Sequence, residues 1–351
     1  MENITITKKD IRKFDLQQMK DFLTEMGEKP FRAKQIHEWI WKKSATDFEQ
    51  MTSLSIKLRE ALSENFVINP VTVYKEQKSN DGTVKSAFQL FDKHLIEGVL
   101  IPTEDRMTAC VSSQVGCSLT CKFCATGYME RKRNLDASEI YDQVVLIKNQ
   151  AEKIYNAPLT NIVYMGMGEP LLNYANVLES IEHITSADGL NMAPKRITVS
   201  TAGIAKMIKK LADDDVKFNL ALSLHAANDE KRNKIMPINE SNSLENLKEA
   251  LQYFHSKTEK TVTYEYILFS NFNDTLQDAK ELYEFSKHTP CKINIIEYNP
   301  IAEADYTNTK EENFTTFSRF LLNKGVIVNM RRSRGKDIDA ACGQLAIKEL
   351  V

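Results

Sequence analysis

The 351-residue sequence lacks any apolar run approaching the roughly 18 to 20 residues of a membrane span, and its polar start, MENITITKKDIRKF, has no signal-peptide apolar region. A membrane or exported protein is not expected; the cytoplasm is. Glycine and proline are sparse, at 12 and 9, which excludes collagenous and low-complexity chains. No charge of one sign dominates: 46 Lys and Arg stand against 48 Asp and Glu, so any nucleic-acid contact must use a local patch. Cysteine is scarce as well. Six residues without regular spacing do not make the disulfide framework of a small secreted domain.

What is there falls into three stretches. FDLQQMKDFLTEMG, FRAKQIHEWIWKK and MTSLSIKLREALSENF place apolar residues at three- and four-residue intervals between breaks at Gly27, Pro30 and Ser44, which predicts a small helical domain over 1–75. VTVYKEQKS and TVKSAFQLFDKHLIEGVLIP, around the turn former Asn80-Asp81-Gly82, predict a β-hairpin linker over 76–106. From Met107 to 351, runs such as TACVSS, NIVYMGM, RITVST, FNLALSLH, TVTYEYILF, KINIIEY and VIVNMRR alternate with helical stretches. That recurrence predicts an α/β domain with a parallel sheet. Six or seven units are too few for an eight-stranded barrel but enough for a partial one, with its active site at the C-terminal ends of the strands. A doubly wound sheet is the alternative.

Cys117-Ser-Leu-Thr-Cys121-Lys-Phe-Cys124 sits just past the first predicted strand of that series. Three thiolates at this spacing suit a 4Fe–4S cluster whose fourth iron has no protein ligand and stands open to a substrate or cofactor. A structural zinc would want a fourth ligand, and no second CxxC pair or HxxxH follows. Phe123 would shield such a cluster, or serve as an ordinary core aromatic. In Tyr164-Met-Gly-Met-Gly168-Glu169-Pro170 the glycines would let backbone approach a ligand while Glu169 accepts from an ammonium group, although alone the motif is a strand-to-loop turn. Ser200, Ser223-Leu224-His225 and Asn299 each close a predicted strand and should gather at one end of the sheet. Taken singly they are strand caps, and His225 is a structural histidine. Of the other cysteines, Cys291 suits an inert buried position. Cys110 lies seven residues before the cluster loop, and Cys342 precedes a glycine that permits a tight turn.

At the three-cysteine loop the sequence resembles the radical S-adenosylmethionine (SAM) enzymes. In these the unligated iron chelates SAM, and one electron releases a 5′-deoxyadenosyl radical. VSSQVGCSLTCKFCATG, MGMGEPLLN, SLHAAND, MPIN and DIDAACGQL, with FRAKQIHEWIW near the start, resemble in order the dual-specificity RNA methyltransferases of that superfamily, which act at C2 of adenosine. The resemblance covers nearly the whole chain. It implies a partial (β/α)6 barrel with a small helical amino-terminal accessory domain, helix-hairpin-helix-like and RNA-handling. It implies one 4Fe–4S cluster on Cys117, Cys121 and Cys124, and two SAM per turnover bound by Gly168, Glu169, Ser200, Ser223, Leu224, His225 and Asn299.

The implied substrates are 23S rRNA in its peptidyl-transferase region and tRNA at the adenosine 3′ of the anticodon. An external one-electron donor such as flavodoxin is implied too, and neither DNA nor membrane. By the same resemblance Cys342 is an S-methylcysteine intermediate, Glu97 the proton acceptor, and Cys110 the resolving thiol through a transient disulfide with Cys342. Two basic segments, Arg131-Lys132-Arg133 and Arg331, Arg332, Arg334 and Lys336, are expected to flank the site and hold RNA. The competing readings are Cfr-like methylation at C8 and, from another class, a non-enzymatic iron–sulfur redox protein that binds RNA.

Overall fold

The computed structural model describes residues 8–347. Its amino-terminal part is built from α1 (Leu16–Glu25), α2 (Arg32–Trp41) and α3 (Ile56–Asn65). The Asp15 carboxylate accepts the Gln18 N–H while the Gln18 side chain accepts the Asp15 N–H, a reciprocal cap that fixes where α1 begins. Gly27, at φ 76°, follows the helix end as the glycine break predicts.

Ten strands then lie side by side in one sheet, in their order along the chain. They are β1 (Thr72–Lys78), β2 (Val84–Gln89), β3 (Leu95–Pro102), β4 (Met107–Cys110), β5 (Asn161–Tyr164), β6 (Ile197–Thr201), β7 (Asn219–Ser223), β8 (Val262–Leu268), β9 (Cys291–Glu297) and β10 (Ile327–Arg331). Pairings from β1 to β4 are antiparallel. From β4 to β10 every pairing is parallel.

Helices cross between the parallel strands: α4 (Ala137–Tyr155), α5 (Tyr174–Thr185), α6 (Ala205–Asp213), α7 (Asp229–Ile235) with α8 (Leu244–Thr258), α9 (Leu276–Ser286) and α10 (Glu311–Asn323). The parallel strands β4 to β10 keep chain order with no reversal, which excludes a doubly wound sheet, and among the described residues no pairing joins β10 back to β1 or β4, so the α/β unit is an open, partial barrel. Every residue of β8 is buried, the mark of a parallel strand covered on both faces.

The stretch expected as one hairpin holds three strands, because TVKSAFQLFDKHLIEGVLIP is interrupted by a second turn. Leu90 N–H donates to the His94 carbonyl at 2.9 Å, and Lys93 takes φ 68° without a glycine to announce it. Through β3–β4 pairing these strands extend the barrel sheet.

The amino-terminal helices dock on α4 and α5. The Trp41 ring stacks on His183 at 3.5 Å and meets Tyr141 edge-on at 5.1 Å. Buried Arg12 bridges Asp10 at 3.0 Å and Asp142 at 2.8 Å, and donates to the Asn69 carbonyl.

Candidate active site

A cleft opens at the C-terminal ends of the parallel strands, with walls from the ends of β5 to β10 and from the loop after β4, where a partial barrel concentrates its chemistry. Cys117, Cys121 and Cys124 all line it, unpaired. The loop is held from several sides. Leu119 N–H points at Cys117 Sγ at 3.4 Å, Lys122 N–H donates to the Ile235 carbonyl, and Ala125 N–H donates to the Gly343 carbonyl at 2.7 Å.

Burial pushes the Cys117 thiol up to about 12 and raises Cys121 and Cys124 as well. Such sulfurs ionise only beside compensating positive charge. Among the described residues no group of His, Cys, Asp or Glu is drawn together around a single metal ion. Phe123 is a core aromatic that also reaches the cleft. It is buried against Phe269, and it lines the cleft edge-on to His225 at 4.8 Å.

Gly168, Glu169, Ser200, Ser223 and His225 also line the cleft. A Cβ on Gly168, at φ 93°, would stand 2.5 Å from Gln114 Cβ, so that glycine serves the close approach of the protein's own backbone to Gln114. Glu169 is buried. Its two oxygens accept the N–H groups of Leu171 at 3.0 Å and Ala202 at 2.7 Å, and burial raises its acid above the ordinary range. The Ser200 and Ser223 hydroxyls lie 3.3 Å apart. His225 Nδ1 accepts the Ile267 N–H at 3.1 Å. Burial, helped by nearby Arg232, lowers this imidazole to about 3, so it is a neutral, positioned ring with Nε2 carrying the proton.

Leu224 and Asn299 are not part of the lining. The Leu224 side chain is buried in the main core, its N–H donates to the Glu265 carbonyl, and its carbonyl accepts from Arg232. Asn299 lies buried and donates to the Cys342 carbonyl at 3.1 Å, while its Oδ1 has no partner.

Cys342 stands in the cleft wall, solvent-accessible but with protein around it. Those surroundings raise its thiol, and Arg331 opposes the rise. Cys110, at the end of β4, is buried behind the lining and pushed up to about 12 by burial and then by the nearness of Cys342. Glu97, in β3, is buried and also behind the lining. One of its oxygens accepts the Ala346 N–H at 2.9 Å, and the other faces the Lys85 ammonium at 3.7 Å.

Two site residues escaped sequence reasoning. Arg232 is fully buried under the cleft and donates to the carbonyls of Ala202 (2.6 Å), Ser223 (3.1 Å) and Leu224 (3.0 Å) and to Asn239 Oδ1 (2.7 Å). It thereby ties the ends of β6 and β7 to the MPIN segment. Glu265, a buried carboxylate lining the cleft, binds Asn294 at 2.8 Å and Arg331 at 3.3 Å. A lone acid inside the apolar run TVTYEYILF was the signal for it.

The basic segments are largely paired with acids. Arg133 binds Asp92 (2.6 Å) and Glu139 (2.7 Å), Lys132 binds Glu130, Arg332 and Lys336 share Glu297, and Arg334 faces Asp81. Arg131 donates to Asn134 Oδ1.

Comparison with known proteins bears on this arrangement. Residues 9–68 match the family model "Ribosomal RNA large subunit methyltransferase N-terminal domain", and residues 111–285 match "Radical SAM superfamily". The chain is 66% identical over 345 residues to a probable dual-specificity RNA methyltransferase RlmN of Cytophaga hutchinsonii, covering 98% of this chain and 94% of that protein. The chain belongs to the RlmN family.

A second relative of the same description, from Flavobacterium psychrophilum, is 54% identical over 98% of this chain and 99% of its own length. The crystal structure of a radical SAM methyltransferase from Sphaerobacter thermophilus superposes with a TM-score of 0.90 at 37% identity, covering 96% of this chain and 99% of that one. RlmN-family proteins are radical SAM enzymes, so a 4Fe–4S cluster and SAM go with this fold. The residues present fit both. Three unpaired thiols line one cleft, and the strand-end groups Glu169, Ser200, Ser223 and His225 line it with them. Among the described residues no helix is long and apolar enough to cross a membrane.

Proposed function

We propose that this protein is a radical SAM methyltransferase that methylates C2 of adenosine in 23S ribosomal RNA and in transfer RNA, consuming two SAM per turnover. The carrying observation is that Cys342 lines the same cleft as the three loop cysteines, with Cys110 close behind it. Cys117, Cys121 and Cys124 would hold the cluster. Gly168, Glu169, Ser200, Ser223 and His225 would bind SAM, Leu224 would contribute only through backbone placement, and Asn299 would act from behind the lining through its hydrogen bond to the Cys342 carbonyl. An external one-electron donor of the flavodoxin kind supplies electrons, and the reaction takes place in the cytoplasm.

Adenine C2 is an aromatic carbon bearing hydrogen and is no nucleophile, so it cannot take a methyl group from a sulfonium directly. Bound in the cleft, cluster and SAM supply a methyl group and a hydrogen-abstracting carbon radical. Cys342 does what the adenine cannot: its sulfur takes up the methyl group, and that carbon, once stripped of a hydrogen, bonds to C2. Glu97 accepts the C2 proton, and the ring gives up its remaining unpaired electron, for which the bound cluster, one electron short after radical formation, would be the acceptor. Cys110 sulfur then bonds to Cys342 sulfur as the S–C bond breaks. The electron pair of that bond leaves with the carbon, which gains a proton to become the methyl group of the product. An external reductant returns the disulfide to two thiols.

The test is anaerobic turnover on RNA lacking the modification, followed by mass spectrometry of the nucleosides. 2-Methyladenosine supports the proposal. 8-Methyladenosine, or no methylated adenosine at all, contradicts it.

A further inference from the structure

Lys85, on β2, carries an ammonium that meets two parts of the site at once. Its Nζ lies 3.7 Å from Glu97 Oε1 and donates at 3.5 Å to the carbonyl of Asp339, in the segment that carries Cys342. Strand register brings them together. Lys85 pairs with Val99, Val99 pairs with Cys110, and Glu97 precedes Val99 by two residues on the same strand. Side chains alternate across a strand, so Lys85, Glu97 and Cys110 share one face of the sheet. The segment bearing Cys342 covers that face, through Ala346 on Glu97 and Asp339 on Lys85.

With only 7% of its surface exposed, the lysine occupies a position where an apolar side chain would cost less desolvation. What a hydrocarbon could not do is grip a carboxylate on one side and a carbonyl of the carrier segment on the other.

We propose that Lys85 is the positioning residue for proton removal, holding the Glu97 carboxylate in register with the segment that carries Cys342. The inference rests on reading Glu97 as the base. In that step the C2–H bond of the radical adduct breaks, the proton passes to the Glu97 carboxylate, the bonding electron pair restores the adenine ring, and the unpaired electron is given up to the one-electron acceptor that the bound cluster would provide. Remove the ammonium, and one Glu97 oxygen keeps the Ala346 N–H while the other loses its cation and is free to turn. Misplacement of a reacting group by about an ångström slows its step by up to about a hundredfold, and only that step.

The experiment uses the cluster-loaded Lys85→Met protein, whose thioether side chain keeps the packing of the lysine stem. Two readouts are followed: methylation of Cys342, by peptide mass, and the lifetime of the covalent enzyme–RNA adduct, on a denaturing gel. The expected result is normal Cys342 methylation with an adduct that persists about tenfold to a hundredfold longer than in the parent. An adduct that decays at the parent rate overturns the inference, and so does an equal loss of both readouts, which would mark a merely structural lysine. Glu97→Gln run in parallel separates the two ideas. Persistence in Glu97→Gln but not in Lys85→Met removes Lys85 and leaves the base standing, whereas normal adduct decay in Glu97→Gln removes the base and this inference with it.

Discussion

Gly335 donates its backbone N–H to Asp81 Oδ2 at 2.9 Å, fastening the segment that leads to Cys342 onto the turn between β1 and β2. Next to it, the Asn80 N–H and the Ser79 hydroxyl donate to Asp337. The amino-terminal hairpin is thus a dock for the far end of the chain, more than 250 residues away in sequence.

Asp81→Ala should loosen this dock without unfolding the barrel. Each lost hydrogen bond is worth about 1 kcal/mol, so amide exchange over 335–346 should rise by about tenfold. Hydrogen exchange read by mass spectrometry checks this. Unchanged protection in that segment would show that the dock contributes nothing.

Arg232→Met should cost roughly 3 kcal/mol, because it strands three carbonyls and Asn239 Oδ1 in a buried site. Equilibrium denaturation measures the loss. A change below about 0.5 kcal/mol would contradict the role given to this residue. The expected secondary effect is weaker SAM binding, since β6 and β7 lose their tie beneath the cleft.

His225 should stay neutral throughout the physiological range, because burial holds it at about 3. The sign follows from linkage: below its ordinary 6.5 the unfolded chain binds a proton that the folded chain refuses. Its contribution to stability is therefore present above 6.5 and is progressively lost as pH falls from there toward 3. Imidazole NMR tests this. A His225 ring signal that titrates near its ordinary value would refute the buried, Nδ1-accepting arrangement.

Much of the site was legible in the sequence because its residues end strands, and strand ends converge in a parallel α/β sheet. The three-cysteine loop, Glu169, Ser200, Ser223 and His225 all follow from that rule. Leu224 did not, for a reason of period: flanked by Ser223 and His225 in the cleft, it points to the opposite face and into the core. Arg232 hid in Asp229-Glu-Lys-Arg-Asn-Lys234, which reads as a solvated helix although this one side chain is wholly buried. The basic segments read as free charge because their acid partners, Asp92, Glu297 and Asp81, come from distant parts of the chain. The second turn in the hairpin region was missed because Lys93 takes a left-handed conformation usually given to glycine.

The most direct test of the account follows one carbon. Protein bearing an ordinary methyl group on Cys342 is mixed with unmodified RNA and SAM whose methyl group is fully deuterated, and the product of the first turnover is weighed. A methyl group without deuterium in that first product is the predicted result, since the carbon must come from Cys342. A trideuterated methyl group in the first product would mean that SAM methylates the base without passing through Cys342, and the account would be wrong.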